Sequence, residues 1–541
     1  MHRNVRGSLL RAKLLAGVGA AIAFAGTAWA APEKAATYVQ PYLEVDQVLT
    51  APLKGGGDVL TYTDVAVGVD AAMHTRRVEA QISGRYEHRF GESGHVGDGD
   101  IISGLARARV EVVPGNVAIE GGALASRAND DFGNDFNGLN TQDGKNVSSV
   151  YAVYVAPMVQ KDVGEVNAKA SYRLGYVKVD DDDDRVFTGQ DRYNHALEQE
   201  ALAKIGMDPE GSLPFGWNIM GMYRREDVGR LKQRFQQATV IGEIVVPVTS
   251  TFALLGDVGY ERITNSQQSI LFDGGTGLPV VDSKGRFVRD PSGGRITFYK
   301  QSGVVYEGGF IWHPSQRTRL EARAGHRYGG TTVTAAFDHS FSPSMAMHAE
   351  VFDNIDSFGR GLTSGLAALP TSFLNGGSPL IAGGCVFGTK PGTGGCLNAS
   401  GLIGTANFRN RGAFAVLSGQ RGRTDFGVGI GYSNRRFLAG RNGADFFDDH
   451  AVDQSYIAQA YFMRKLDWRS SLRGDLFAGR FISNTQGVNS LWSAGATLGY
   501  SRLLMPHLDG QANAGIFATD EEGPGNSDVV ASLLLGLRYS F

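Results

Sequence analysis

The feature that most restricts this chain is a two-residue period that recurs along almost its whole length. Across residues 77–90, Arg77, Glu79, Gln81, Ser83, Arg85, Glu87 and Arg89 alternate with Val78, Ala80, Ile82, Gly84, Tyr86, His88 and Phe90. Residues 317–328 repeat the pattern, with Arg317, Arg319, Glu321, Arg323 and Arg327 against Leu320, Ala322, Ala324 and Tyr328. So do residues 166–176, where Asn167, Lys169, Ser171 and Arg173 oppose Val166, Ala168, Ala170, Tyr172, Leu174 and Tyr176. Successive side chains of a strand point to opposite faces, so each run is a strand with one wet and one apolar side.

From residue 36 onward these runs follow one another, and the connections between them alternate in kind. Tight turns fall at 114–116, near 209–214, at 247–251 and 313–316, and at Pro343 and Pro506. Long polar connections fall near 129–147, 180–193, 265–295, 357–404 and 437–450. This is how the two ends of an antiparallel barrel differ in bacterial outer membranes. Counting runs gives about 22 strands, within roughly 18 to 24 because boundaries blur by a few residues. An even number puts both chain ends on the tight-turn side. There is no long helical pattern and no composition break, so residues 31–541 read as one unit with no separate plug domain.

Alternation also suits a soluble sandwich, and the choice turns on what each face can touch. A sandwich core about 10 Å thick needs bulky side chains, yet many apolar positions here are Ala or Gly, interspersed with Leu, Val and Tyr. Lipid conforms to such a surface, whereas a protein core would leave voids. The other face carries Arg and Glu ladders suited to water. Slipping the register by one residue would put arginines in hydrocarbon at about 2 to 4 kcal/mol each near the midplane. A mean hydropathy of −0.16 is what such alternation averages to. The 74 glycines of 541 residues show no Gly-X-Y period, and 52 basic against 55 acidic residues give no reason to expect nucleic acid. The expected fold is all-β, a single closed antiparallel transmembrane β-barrel.

Residues 1–30 have the layout of a cleaved secretory signal peptide: Arg3, Arg6, Arg11 and Lys13, then an apolar stretch, then Ala28-Trp29-Ala30. Export makes a local disulfide between Cys385 and Cys396 the natural state of the two cysteines.

The chain ends Leu533-Leu534-Leu535-Gly536-Leu537-Arg538-Tyr539-Ser540-Phe541. Alternate apolar residues leading through Leu537 and Tyr539 to Phe541 resemble the C-terminal assembly signal of Gram-negative outer-membrane barrels. Over some 510 residues the chain resembles the β-barrel porins of these bacteria. The resemblance implies insertion into the cell outer membrane by the barrel assembly machinery with periplasmic chaperones, and contact with outer-membrane lipid and lipopolysaccharide.

What the interior does follows from its charges. Among the best-phased runs the basic residues Arg77, Arg85, Arg89, Arg107, Arg109, Lys169, Arg173, Arg317, Arg319, Arg323 and Arg327 outnumber Glu79, Glu87, Glu111 and Glu321. The expectation is a pore lined by these cations and biased toward anions, against the alternative that the charges pair across strands. Twenty-two tilted strands give a backbone diameter of roughly 40 to 45 Å, too wide to select without narrowing. Residues 265–295 and 357–404 are the candidates to fold inward. No nucleophile elbow, P-loop or zinc-helix motif is present, so no catalytic, cofactor or metal residue is assigned. Gly427-Val428-Gly429-Ile430-Gly431 reads as a close-packed strand rather than a nucleotide loop, and the acidic run at 180–184 as a solvated loop. The expected function is passive passage of small hydrophilic solutes; the alternative is an export conduit or structural barrel linked to surface polysaccharide.

Overall fold

A computed structural model describes residues 36–541 except 56–57, 93–98, 130–146, 182–194, 210–211, 230, 283–286, 374–384, 388–393, 397–405, 439–450, 485–488 and 523–526. The expected signal peptide lies outside the described residues. The strands are β1 (Ala36–Lys54), β2 (Leu60–His74), β3 (Val78–Gly91), β4 (Gly99–Val113), β5 (Val117–Asn129), β6 (Val147–Val163), β7 (Val166–Asp181) and β8 (His195–Met207). They continue with β9 (Gly216–Val228), β10 (Gln233–Thr249), β11 (Phe252–Gln268), β12 (Arg295–Ser315), β13 (Thr318–Arg327), β14 (Gly330–Ser342) and β15 (Met345–Asp356). One helix, α1 (Phe358–Ala368), and a small hairpin, β16 (Cys385–Phe387) with β17 (Gly394–Cys396), come next. The rest are β18 (Phe408–Arg421), β19 (Thr424–Phe437), β20 (Val452–Lys465), β21 (Ser470–Ser483), β22 (Leu491–Met505), β23 (Leu508–Glu521) and β24 (Ser527–Ser540).

Every strand but β16 and β17 joins one antiparallel sheet of 22 strands, which closes on itself through β1 and β24. Closure removes the free edges that would otherwise recruit other chains. It is made by the terminal segment, with Val45 opposite Leu537 and Leu43 opposite Tyr539, and the Phe541 N–H donating to the Pro41 carbonyl at 2.9 Å. Tight hairpins lie at one end, including Gly115, Gly164 and Gly422, each with positive φ where glycine is the unstrained choice. The longer connections gather at the other end. Pro157 costs the sheet little because β6 and β7 skip the Ala156 and Pro157 pairs.

Register sorts the side chains as the alternation requires. Leu43, Val45, Val65, Val67, Ile82, Tyr86, Leu533, Leu535, Leu537 and Tyr539 are exposed on the outer face. Glu44, Asp46, Asp64, Gln81 and Arg107 are buried on the inner one. His88 and His326 face outward beside aromatics, His88 edge-on to Phe90 at 4.5 Å and His326 stacked on Tyr306 at 5.6 Å. A continuous outer band of exposed apolar side chains is stable only against hydrocarbon.

The interior holds a compact apolar core as well. Leu105, Leu124, Val150, Ala152, Tyr154, Val177 and Val179 of the inner wall pack with Phe358, Leu362, Leu366, Leu369 and Phe373. Residues 357–373 therefore lie inside the barrel, so the start of the 357–404 connection folds inward as its candidacy to narrow the bore requires. The 265–295 connection behaves differently. It continues β11 and β12 as an irregular hairpin with bridges at Ile270 to Arg289, Phe272 to Pro279 and Val281 to Phe287. Ile270 and Phe287 rest on Leu231 of the neighbouring turn, while Phe272, Leu278 and Val281 stay exposed.

Candidate functional site

The site is the lumen together with the segment folded into it. Helix α1 begins at Ser357, whose side chain accepts from the Arg360 N–H at 3.1 Å, an N-cap that satisfies one orphan donor. Phe358, Leu362, Leu366 and Leu369 recur at helical spacing and form the face that meets β5, β6, β7 and β8. The carbonyls at its other end are taken up by Arg107 of β4. Its guanidinium donates to the Leu369 carbonyl at 2.9 and 3.1 Å and to the Ala367 carbonyl at 2.9 Å. A cation there also complements the helix dipole.

The wall is shaped to receive the helix. A side chain at Gly122 would meet Leu366, and one at Gly175 would come within 3.1 Å of Thr363. Beyond the helix, the backbone of Phe373 is held from both sides by Gln81, its N–H donating at 2.8 Å and its carbonyl accepting at 2.9 Å. Ser372 donates to Glu79 at 3.0 Å.

Charge fixes the segment too. Glu226 of β9, with no exposed surface, accepts from Arg360 at 2.5 Å and from the Ser357 hydroxyl at 2.7 Å. Thr363 donates to Glu198 of β8, and Arg360 donates to Asn407 at 2.8 Å. Arg360 also lies 3.8 Å over the Phe235 ring. Two facing carboxylates on adjacent strands, Glu198 and Glu226, thus meet donors delivered by the inserted segment.

The interior arginines named from sequence, except Arg77 and Arg317, have inward register, but they do not form a free cationic lining. Arg85 reaches Glu44 at 2.5 Å, Asp46 at 2.9 Å and Glu87 at 3.0 Å. Arg89 pairs with Asp64, Arg109 with Glu120, Arg173 with Glu200 and Arg319 with Glu321. Arg323, 3% exposed, contacts Glu243, Asp257 and Glu321, and Arg327 lies 3.8 Å from Glu261. Arg107 is committed to the helix end. Lys169 faces the interior opposite Lys204 and has interactions of its own. Arg77 and Arg317 sit in tight turns at the barrel end. The cationic excess read from the best-phased runs disappears because carboxylates on less regular runs, among them Glu198, Glu200, Glu226, Glu243, Asp257 and Glu261, face inward beside them.

Sequence reasoning missed α1 because Gly359, Gly361 and Gly365 dilute its helical signal. Two cues were available. Phe358, Leu362, Leu366 and Leu369 keep a helical period, and the run of β6 around Val150, Ala152 and Tyr154 is apolar on its inner as well as its outer face. A wall apolar on both faces needs a cover.

The two sides of the lumen differ. Inner-face residues from β5 to β11 are largely buried, filled by α1 and by ion pairs. On β19 and β22 the inner face is lined by Gly427, Gly429, Gly431, Gly495, Thr497 and Gly499, most of them partly accessible. Larger inward neighbours lie beside several of these positions, Phe414 and Ile457 at Gly431 and Phe477 and Phe517 at Gly495.

No protein-family model matches the chain, and no curated protein matches it significantly. Among solved structures, it is similar to the FrpB iron transporter from Neisseria meningitidis (F5-1 variant), with 9% identity, TM-score 0.44, and coverage of 93% of this chain and 82% of that one. It is also similar to the ferric-catecholate import receptor Fiu from E. coli K12, at 8% identity and TM-score 0.44 over 92% and 81% of the two chains. A loop-deleted OmpT, an outer membrane protein of Vibrio cholerae, aligns at 10% identity and TM-score 0.27 over 94% and 100%. Identities of this size assign no solute.

Proposed function

We propose that the protein is an outer-membrane channel for small hydrophilic solutes, in which residues 357–373 fill one side of the lumen and leave a water path along the opposite wall. The observation that carries this reading is the asymmetry of the interior. α1 is tied to the β4–β9 side by Arg107, Glu226 and a buried apolar face, while it makes no comparable contact with β19 to β22. A barrel of 22 strands needs such a filler, since its bare bore would pass solutes without discrimination.

Passage is by diffusion in this reading. The wall charges are paired, so they hydrate the path and hold side chains in place without a strong field of either sign; anion preference is not expected. Purified protein in planar bilayers tests both points. Discrete conductance with a reversal potential near zero in a salt gradient is the expected result. A non-conducting barrel would refute the channel reading, and a strongly anion-selective one would refute the paired-wall account.

A further inference from the structure

The outer wall carries a feature that a channel does not require. Along one hydrogen-bonded row, Ala349 faces Ala415, Ala415 faces Ile430, Ile430 faces Ala458, and Ala458 faces Ala478, all outward. The next outward row toward the long-loop end starts with Val351 and Ala413 and then turns to larger side chains: Tyr432 opposite Tyr456, Tyr456 opposite Arg480, and Arg480 opposite Trp492. The alanines of the lower row, together with Ala413 of the upper one, lie below and beside Tyr432, Tyr456, Arg480 and Trp492 and make an open trough of about 770 Å³, lined by both rows. Tyr456, Arg480 and Trp492 are exposed at its upper edge, and the Tyr432 and Tyr456 rings lie 4.9 Å apart.

Arg480 is the residue that needs an explanation. Its outward neighbours in the row from Val351 to Trp492 carry no charge, and among the described residues no carboxylate lies within ion-pair distance of it. The nearest outward acid by register, Asp520 of β23, lies beyond Trp492. Leaving a guanidinium at the edge of hydrocarbon without a counter-charge is costly. A phosphate matches it in charge and fork geometry.

We infer that this trough is a binding site for the phosphorylated, multiply acylated glycolipid of the outer leaflet (lipid A), its phosphate on Arg480 and its acyl chains on the alanine row. The site rests on the outer-membrane reading above, with the long-loop end outward. Three observations select this occupant. The trough crosses five strands from β15 to β21, about 19 Å at 4.8 Å per strand, which suits several parallel chains hung from one head. The aromatic row sits at the level where rings partition between headgroup and chain. A phosphate-bearing head brings to Arg480 the counter-charge that its neighbours along the row from Val351 to Trp492 do not supply.

The test uses the full-length barrel purified in detergent, with native mass spectrometry of retained lipid after addition of bis-phosphorylated lipid A, its dephosphorylated form, or phosphatidylglycerol. The expected result is retention of lipid A by the wild type, weakened about tenfold or more by Arg480→Ala and by removal of the phosphates, the scale of one charge-assisted contact. Filling the trough with Ala458→Phe weakens retention as well, whereas Ala123→Phe, outward on the far wall, leaves it unchanged. Equal retention by wild type and Arg480→Ala, equal retention of phosphatidylglycerol, or a dimer that forms in place of lipid binding would overturn the site. Heat-modifiable migration of the same samples reports whether the barrel is folded, so failure of the lipid site and failure of the membrane-barrel reading are told apart.

Discussion

Removing Arg360 is the sharpest probe of how the lumen is filled. The side chain is buried, and its partner Glu226 has no exposed surface and, among the described residues, no other cation at ion-pair distance. Deleting one member of a buried pair strands the other charge, at about 3 to 5 kcal/mol. The barrel does not bear that cost, because its ladder is continuous without α1; the cost falls on the local equilibrium between docked and released segment. The carboxylate can take up a proton or water once the helix moves, so the low end of the range applies, which is still about a hundredfold shift in that equilibrium. Arg360→Ala should therefore give channels that open wider or flicker, and should expose residues 357–373 to protease while the barrel keeps its heat-modifiable migration. The double variant Arg360→Met with Glu226→Gln removes both charges and should recover most of the docked state, as paired replacements of buried ions do. Single-channel recording of wild type, both single variants and the double variant completes the cycle. If Arg360→Ala conducts as the wild type does and its segment resists protease equally, the ion pair does not hold the filler.

Other perturbations separate packing, pairing and closure. Gly175→Val places a branched side chain against Thr363 and should loosen α1 as Arg360→Ala does, whereas Gly221→Val, outward and in open space, should leave conductance unchanged. Arg323→Ala leaves Glu243, Asp257 and Glu321 facing one another and should cost about 3 to 5 kcal/mol, read as a drop in the unfolding temperature of the band; the partly exposed Arg319→Ala should stay within about 1 kcal/mol. Deleting Phe541 removes an outward ring and the last hydrogen bond to Pro41, and should reduce the folded protein recovered from outer membranes. Peptide mapping without reductant should find Cys385 joined to Cys396, which backbone register sets directly opposite each other. Asp273, outside the strands, has its pKa lowered by hydrogen bonds from the Thr276 N–H, the Thr276 hydroxyl and the Gly275 N–H. Its contribution is complete above the ordinary value and is lost as pH falls through the lowered one, so the Gly275 amide resonance should shift with a midpoint below 3.8.

The wall was legible in the sequence because a strand reports its faces locally. Arg85 and Tyr86 differ by one position, and that alone assigns them to water and to lipid. Turn chemistry at Gly115 and Pro506 and the closing run to Phe541 are local in the same way. The interior was not legible, since an ion pair such as Arg323 with Asp257 depends on two intervening strand registers. No single run shows that Glu226 waits for Arg360, more than a hundred residues later. Weighing only the cleanest runs also biased the tally toward arginine, because β8 and β9 mix Glu198, Glu200 and Glu226 with apolar inner residues and so look less regular.

That irregularity is a physical signature. A lumen wall touching only water can keep strict alternation, but a wall that receives a helix must be apolar where the helix lies and charged where its polar groups arrive. β6 is apolar inward at Val150, Ala152 and Tyr154, β7 supplies Gly175 for close approach, and β8 and β9 bring the carboxylates that meet Thr363, Ser357 and Arg360. Departures from alternation along consecutive strands thus mark the docking surface of an inward segment. Ser357, with helical apolar spacing after it, marks the segment itself. Restoring strict alternation, for instance by Val150→Ser with Val177→Ser, should abolish docking while leaving the barrel closed, and a channel of unchanged conductance in that variant would contradict the link.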